Sequence, residues 1–322
     1  HLTSFALAAV PSMLRHWLWR PDVVMVVQPA LLCAPMAWLT ARATGAQAWL
    51  HVQDFEVDVA LQMGMLKNGL VRRLALGFES WLLRRFDTVS TISAHMRAHL
   101  GRKGVPNDCI ASLPNWADLQ TVMPLAGPSP FHHELGLNDG TRVALFAGTW
   151  SAKQGLDVIP RAALRLVNRK DILFVVCGEG AMQDEMQAAA RELPNLRLLP
   201  LQPKERLGDL LGLADVHLLP QSVEAEDLVL PSKLTNMLAS GRPVLATCRA
   251  RTELAEVVSR CGVIVPPGDD AALADALEAL MDAPSRRAEL GRQARAHAER
   301  YIDRDAVLGE WLKRATRERG PR

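Results

Sequence analysis

Two periodicities alternate along the chain. Short apolar runs, many of them rich in β-branched residues, read as strands: Val23 to Val27, Gln47 to Val52, Thr88 to Ile92 and Ile110 to Leu113. Stretches with apolar positions at helical spacing separate them. These are Leu2 to Trp19, Leu31 to Arg42, Leu66 to Phe86, and a helix holding His95, Met96 and His99 with Ser93 as its cap. Pro124 to Pro130, with Gly127, Pro128 and Ser129, reads as a linker. The alternation then resumes. Strands are predicted at Arg142 to Phe146, Ile172 to Cys177, Leu196 to Leu201, Val216 to Pro220, Arg242 to Ala246 and Gly262 to Val265. Helices are predicted at Leu156 to Asn168 and Glu205 to Ala214, and from Ala271 to the end with breaks near Pro284 and Tyr301. Strands alternating with helices predict an α/β chain with a doubly wound parallel sheet, formed twice. A length of 322 residues also favours two domains.

Such sheets bind ligands beyond the carboxyl ends of their strands, so the segments that follow strands carry the chemistry. The stretch Leu230 to Val244 is the most informative. Pro231 and Ser232 signal a helix start, with Ser232 expected to cap the first N–H groups, and Gly241 ends the helix. Lys233 puts a positive charge in the first turn, where a diphosphate could use it together with the backbone N–H groups. An ordinary capped helix with a solvated lysine is the plain alternative. Before this stretch lies an acidic loop, Glu224 to Asp227.

Composition narrows the function classes. A net charge of +2 does not point to nucleic acid or another polyanion as partner. Five scattered cysteines without C-x-x-C spacing argue against a disulfide framework or zinc site and fit a reducing compartment. No basic segment precedes the apolar residues Leu2 to Val10, so no signal peptide is read there. The apolar run Val23 to Ala41 is interrupted by Gln28-Pro29 and Pro35, and reads as a strand and buried helix rather than a membrane span. The helix Leu66 to Phe86 carries Lys67, Arg72, Arg73, Arg84 and Arg85 beside Leu74, Phe78, Trp81, Leu82 and Leu83. That pattern fits a solvated surface helix or contact with anionic lipid headgroups. Asp303-Arg304-Asp305 is formally a D-x-D, but it sits at a helix start, where capping explains it; no metal site is predicted.

Taken together, Pro114 to Asp118, Gly148 to Gly155, Gly178-Glu179-Gly180, Pro231-Ser232-Lys233 with Gly241 to Val244, and Pro267-Gly268-Asp269 resemble the motifs of family 4 glycosyltransferases. Those enzymes have the GT-B architecture, two Rossmann-like domains facing a cleft. His51 to Asp58 and Leu230 to Asn236 are similar, more closely, to the fucosyltransferase-like enzymes of colanic acid synthesis. The resemblance implies a partial N-terminal, acceptor-side domain over residues 1–125 that lacks its first βα unit. A nucleotide-sugar-binding domain would follow over 126–300, and a helix over 301–322 would return to the first domain. It also implies that the sequence is truncated at its N-terminus.

The same resemblance implies site residues. Gly148, Lys153, Gly178, Gly180, Pro231, Ser232, Lys233 and Asn236 would bind the donor. Thr149 stands at the usual arginine position of the loop after the first strand of the second domain, and Gln154 at the usual lysine position, with Lys153 beside it. Of the two glutamates the family uses, the second falls at Asn236 and the first at Leu228, so Asp227 is the expected sugar-facing carboxylate. His51 and Asp54 join Asp227 as catalytic candidates, with Glu56 and Asn115 on the acceptor side. The implied activity is hexosyl transfer, with retention, from a GDP- or UDP-linked sugar to a lipid-linked or glycan acceptor in bacterial exopolysaccharide synthesis. It would need no cofactor or metal and would occur in the cytoplasm at the inner membrane face. A nucleotide-sugar epimerase and a protein that binds nucleotide sugar without chemistry are the alternatives.

Overall fold

The computed structural model describes residues 2–29, 31–62, 64, 68–222 and 230–316. Two compact units share them. The first comprises residues up to Pro114 together with those from Val307 on, and the second comprises Asn115–Ala306.

The first unit is built on a four-stranded parallel sheet, β1 (Val23–Gln28), β2 (Gln47–Val52), β3 (Thr88–Thr91) and β4 (Ile110–Ser112), in the order β1-β2-β3-β4. Strands laid down in sequence order, joined by right-handed crossovers, put every connecting helix on one face. Helices Ala34–Thr44, Gly69–Leu83 and Ala94–Arg102 supply that face. Their Ala37, Ala41, Leu82, Leu83, Met96 and Leu100 form one apolar core with Val26, Leu50, Val52 and Val89 of the strands. Trp49 stands at the alternate position of β2 and therefore faces the other way. There it meets Trp311 of the last helix, Arg304–Ala315, with ring centroids 5.9 Å apart.

The expected long helix from Leu66 is shorter. It runs Gly69–Leu83, and the Asn68 side chain caps it by accepting from the N–H groups of Leu70 and Val71. Leu66 and Lys67 lie outside the described residues. Ser93 caps as expected, accepting from the Met96 N–H.

A buried ionic cluster joins three helices of this unit. The Lys103 ammonium reaches Glu79 at 2.5 Å and Asp58 at 3.0 Å, and His99 Nε2 lies 2.8 Å from Asp58. Burial pushes the Glu79 carboxyl up. Burial also acts on Asp58, but its bonds to His99 and Lys103 outweigh that and hold it low. Glu79 is fully buried, and Lys103 is its cation. Lys103→Met is therefore expected to cost about 3–5 kcal/mol, because it strands a buried acid. Urea unfolding of the variant measures this, and a loss below about 1 kcal/mol would contradict it.

The second unit carries six parallel strands: β5 (Arg142–Ala147), β6 (Ile172–Cys177), β7 (Leu196–Leu199), β8 (Val216–Leu219), β9 (Val244–Thr247) and β10 (Gly262–Val265). Their order is β10-β9-β8-β5-β6-β7. The chain starts at β5, winds outward through β6 and β7, then returns to β8 on the other side. The order reverses between β5 and β8, and that switch point opens a crevice at the carboxyl ends of the strands.

The division between units falls before the Pro- and Gly-rich stretch that composition marked as the linker. Residues 117–122 are pinned to the second unit. The Ala117 N–H donates to Ile302 O at 2.9 Å, and the Arg304 N–H returns a bond to Ala117 O at 3.1 Å. The Arg295 guanidinium donates to the carbonyls of Val122, Leu119 and Ala239. These contacts join residues far apart in sequence, so composition cannot register them. Asp303 accepts from the Ala306 N–H at 3.0 Å, which is the capping role read for the D-x-D.

Candidate functional site

Two sets of candidate residues come together, one in each unit. In the second unit the loops after β5 and β6 are laced by backbone bonds. The Gly148 N–H donates to Cys177 O at 2.9 Å, the Trp150 N–H to Glu179 O at 2.8 Å, and the Met182 N–H to Trp150 O at 3.2 Å. Such close approach leaves no room for side chains. A Cβ on Gly178 would lie 1.9 Å from Gly148 O, and one on Gly180 would lie 2.3 Å from Trp150 O. Both glycines also have positive φ, 143° and 156°. Their first task in this fold is thus to let the two loops close on each other.

Lys233 opens the helix Lys233–Ala239 that follows β8, and its side chain leans across the switch point. Its ammonium lies 4.5 Å from the centre of the Phe146 ring, at the end of β5. It sits 3.0 Å from where a Gly148 Cβ would be. It donates to the Gln154 side-chain oxygen. Burial pulls this ammonium down to about 8. At neutral pH it is still mostly charged, and among the described residues its partners are one neutral carboxamide and an aromatic face. A cation so poorly compensated is a strong attractor for an incoming anion.

The Gln154 partnership was not visible in sequence, where that residue registered only as a departure from the expected lysine. A second lysine there would set two ammonium groups against each other. Gln154 instead supplies an acceptor that holds Lys233 in place.

Ser232 corrects one expectation. Its backbone is already helical, at φ −59° and ψ −29°, and its side chain makes no capping bond. A hydroxyl reaches the N–H groups of the first turn only from an extended residue. Ser232 instead lends its carbonyl to the Thr235 hydroxyl at 2.8 Å. Pro231 is half-buried just before it. Asn236 is half-buried three residues after Lys233, a spacing that shares a helix face. Lys153 falls in the turn Ala152–Gln154, and its side chain is outside the described part, as are Asp227 and its acidic loop.

In the first unit, His51, Asp54 and Glu56 gather at the carboxyl end of β2. His51 is buried, with Nδ1 2.9 Å from Ser90 Oγ and Nε2 2.8 Å from the Gln53 side-chain amide. Burial pulls its imidazole down to about 4, so the ring is neutral near pH 7. That suits a hydrogen-bonding group better than a proton carrier. Asp54 is half-buried, which pushes its carboxyl up. One oxygen of Glu56 accepts from the Leu31 N–H at 2.7 Å, tying the loop after β1 to the helix Glu56–Gln62. Asn115 is half-buried at the first position of the second unit. Among the described residues no group of three or more His, Cys, Asp or Glu side chains could hold a metal ion.

A second buried histidine, His217 on β8, donates from Nε2 to Ser240 Oγ at 2.9 Å, and burial pulls it down to about 3. His51 and His217 together predict acid sensitivity. An unfolded histidine protonates near 6.5, whereas these two stay neutral in the fold until about 4 and about 3. Their contribution is complete above pH 6.5 and is lost as pH falls through that window. Each removes about 1.4 kcal/mol of stability per pH unit there. Urea midpoints between pH 7.5 and 4.5 check this, and a flat profile contradicts it.

Comparison with known proteins fits this geometry. Residues 1–116 match the glycosyl transferase 4-like domain, and residues 141–283 match the glycosyl transferases group 1 domain. The chain is 34% identical to the putative colanic acid biosynthesis glycosyl transferase WcaI of Escherichia coli, covering 97% of this chain and 78% of that one. It is 28% identical to the probable glycosyltransferase WbjE of Pseudomonas aeruginosa, over 82% of this chain and 67% of that one. Among solved structures, sucrose-phosphate synthase from Thermosynechococcus elongatus aligns with a TM-score of 0.75 at 18% identity, covering 97% of this chain and 77% of that one. Anabaena HepE in complex with UDP and glucose aligns at 0.72 and 15%, covering 94% and 81%. The fold is therefore the GT-B type anticipated from the motifs, and the chain belongs to the glycosyltransferase family, as an enzyme with a 4-like domain followed by a group 1 domain.

Proposed function

We propose that this enzyme moves a hexosyl group, with retention, from a GDP- or UDP-linked sugar to a lipid-linked or glycan acceptor. Its setting is bacterial exopolysaccharide synthesis, of the kind named for its colanic acid relative. One observation carries the reading: a desolvated ammonium, Lys233, held over the Gly148 backbone at the β5–β8 switch point. Glycosyl transfer leaves charge on a departing diphosphate. A fixed cation in a poorly solvated site stabilises that charge more than water does. HepE, whose structure holds UDP, shares the fold and supports a nucleoside diphosphate donor. Asn236 and Asp227 would face the sugar and ribose hydroxyls, Lys153 would add charge at the phosphates, and His51 and Asp54 would face the transferred hexose. Glu56 and Asn115 lie on the acceptor side, and no metal is required.

The test is incubation with a panel of nucleotide sugars and a membrane lipid extract. Acceptor-dependent release of nucleoside diphosphate is expected, with an α-linked product from an α-linked donor. Isomerised nucleotide sugar without acceptor would make the protein an epimerase. Binding without turnover would make it a carrier.

The lipid-linked acceptor brings the enzyme to an anionic membrane surface at the cytoplasmic face. Helix Gly69–Leu83 and its end expose Leu70, Val71, Leu74, Phe78 and Trp81 beside Arg72, Arg73, Arg84 and Arg85. Arg85 stacks over Trp81 at 5.0 Å and Trp38 at 5.9 Å. Apolar side chains flanked by arginine suit the boundary between headgroups and acyl chains. Co-sedimentation is expected with vesicles containing phosphatidylglycerol but not with purely zwitterionic ones. Leu74→Ser with Phe78→Ser should weaken it by ~10-fold or more. Equal binding to both vesicle types would remove the reading.

A further inference from the structure

We propose that Ser90, backed by Trp49, is a positioning residue that holds His51 in a single tautomer and so sets what the ring's outer nitrogen offers the transferred sugar. This rests on the transferase reading above. His51 of β2 is paired in register with Ser90 of β3, so both side chains leave the sheet on the same side. Trp49, two positions earlier on β2, shares that side. The three are buried, and their polar atoms form one chain. Trp49 Nε1–H donates to Ser90 Oγ at 2.8 Å, and His51 Nδ1 lies 2.9 Å from the same oxygen. On the far side of the ring, the Gln53 amide nitrogen lies 2.8 Å from Nε2. An amide N–H donating to Nε2 makes that nitrogen the lone-pair one. With the Gln53 amide turned this way, the single proton of the neutral ring is on Nδ1, facing Ser90, whose hydroxyl oxygen lies 2.9 Å away and whose backbone also bonds the ring.

Nε2 is consequently an acceptor that can take an O–H from a sugar hydroxyl when Gln53 yields its place. Which nitrogen of an imidazole carries the proton is set by the bond the other one makes. Bulk solvent does not reach this bond, because Ser90 is fully buried. The Trp49 indole is held in turn by its packing on Trp311, so the chain is anchored at its inner end.

Long-range 1H–15N correlation on 15N-histidine-labelled protein reads the tautomer directly. The wild type is expected to show the Nδ1–H form at His51. Ser90→Ala is expected to shift it toward a mixture with the Nε2–H form. Its kcat should fall by ~10-fold or more with donor KM within about twofold, by analogy with the loss of the partner that orients a metal-ligating histidine. Ser90→Thr, which keeps the hydroxyl, is expected to restore both. A wild-type ring in the Nε2–H form would overturn the proposal. So would Ser90→Ala with an unchanged tautomer, or a tautomer shift without any change in kcat. The spectrum does not depend on turnover. A shifted tautomer in a protein that turns over no donor would therefore defeat the transferase reading and leave the tautomer lock standing.

Discussion

Lys233→Met is expected to lower kcat/KM for the nucleotide sugar by ~10²–10³-fold, the scale of losing one preorganised group aimed at developing charge. Methionine keeps most of the stem volume, so the packing against Phe146 should survive while the charge is lost. The pH dependence has a definite sign. Burial pulls the ammonium down to about 8 in the free enzyme. A bound diphosphate favours the protonated form. Donor affinity should therefore hold level below pH 8 and weaken above it, approaching ~10-fold per pH unit. Titration calorimetry with UDP and GDP between pH 6.5 and 9.5 measures both effects. Wild-type affinity that ignores pH across this range, or a methionine variant that binds and turns over normally, would remove Lys233 from the phosphate site. Lys233→Arg tests the geometry separately, since a planar guanidinium must displace the Gln154 contact to fit.

Gly178→Ala is expected to be the most damaging single methyl group in the second unit's site. The new Cβ would lie 1.9 Å from Gly148 O and 3.0 Å from the Trp150 indole nitrogen. The first is backbone, and the second belongs to a buried ring. The residue also needs a φ of 143° that alanine rarely adopts. Steric overlap and backbone strain together should cost about 4 kcal/mol or more, enough to lower soluble yield and melting temperature sharply. Gly140→Ala is the matched control. Nothing lies within 4 Å of its added Cβ, so the change should stay within about 0.5 kcal/mol of the wild type. Similar melting temperatures for the two variants would mean the β5 and β6 loops are not packed as described.

Much of the fold was legible because parallel strands buried on both faces are nearly continuous apolar runs. Gln47–Val52, Ile172–Cys177 and Gly262–Val265 end where the pattern ends. The tail breaks at Pro284 and Tyr301 were equally plain. Legibility failed where a residue's role depends on a distant partner. His51 and Ser90 are 39 positions apart, and Lys233 and Gln154 are 79 apart. Local spacing cannot announce such pairs. Ser232 misled for a related reason. Its type is right for a cap, but its backbone turns helical one residue too early. At Gly178 and Gly180 the contact that demands glycine is with the neighbouring loop, a partner that local spacing does not reveal. In each of these segments tertiary packing decides what the atoms contact, and that is what local spacing does not carry.

The last helix belongs to the first unit, and this has a consequence for the order of assembly during synthesis. Trp49 leaves the ribosome early, but its aromatic partner Trp311 is encoded after the whole of residues 115–306. At typical bacterial elongation rates that interval lasts roughly ten to forty seconds. For that time one side of the nascent N-terminal sheet waits for its cover, while the second unit has all its own segments in hand before the terminal helix emerges. A stop codon that removes the last helix would thus be felt by the part of the protein made first.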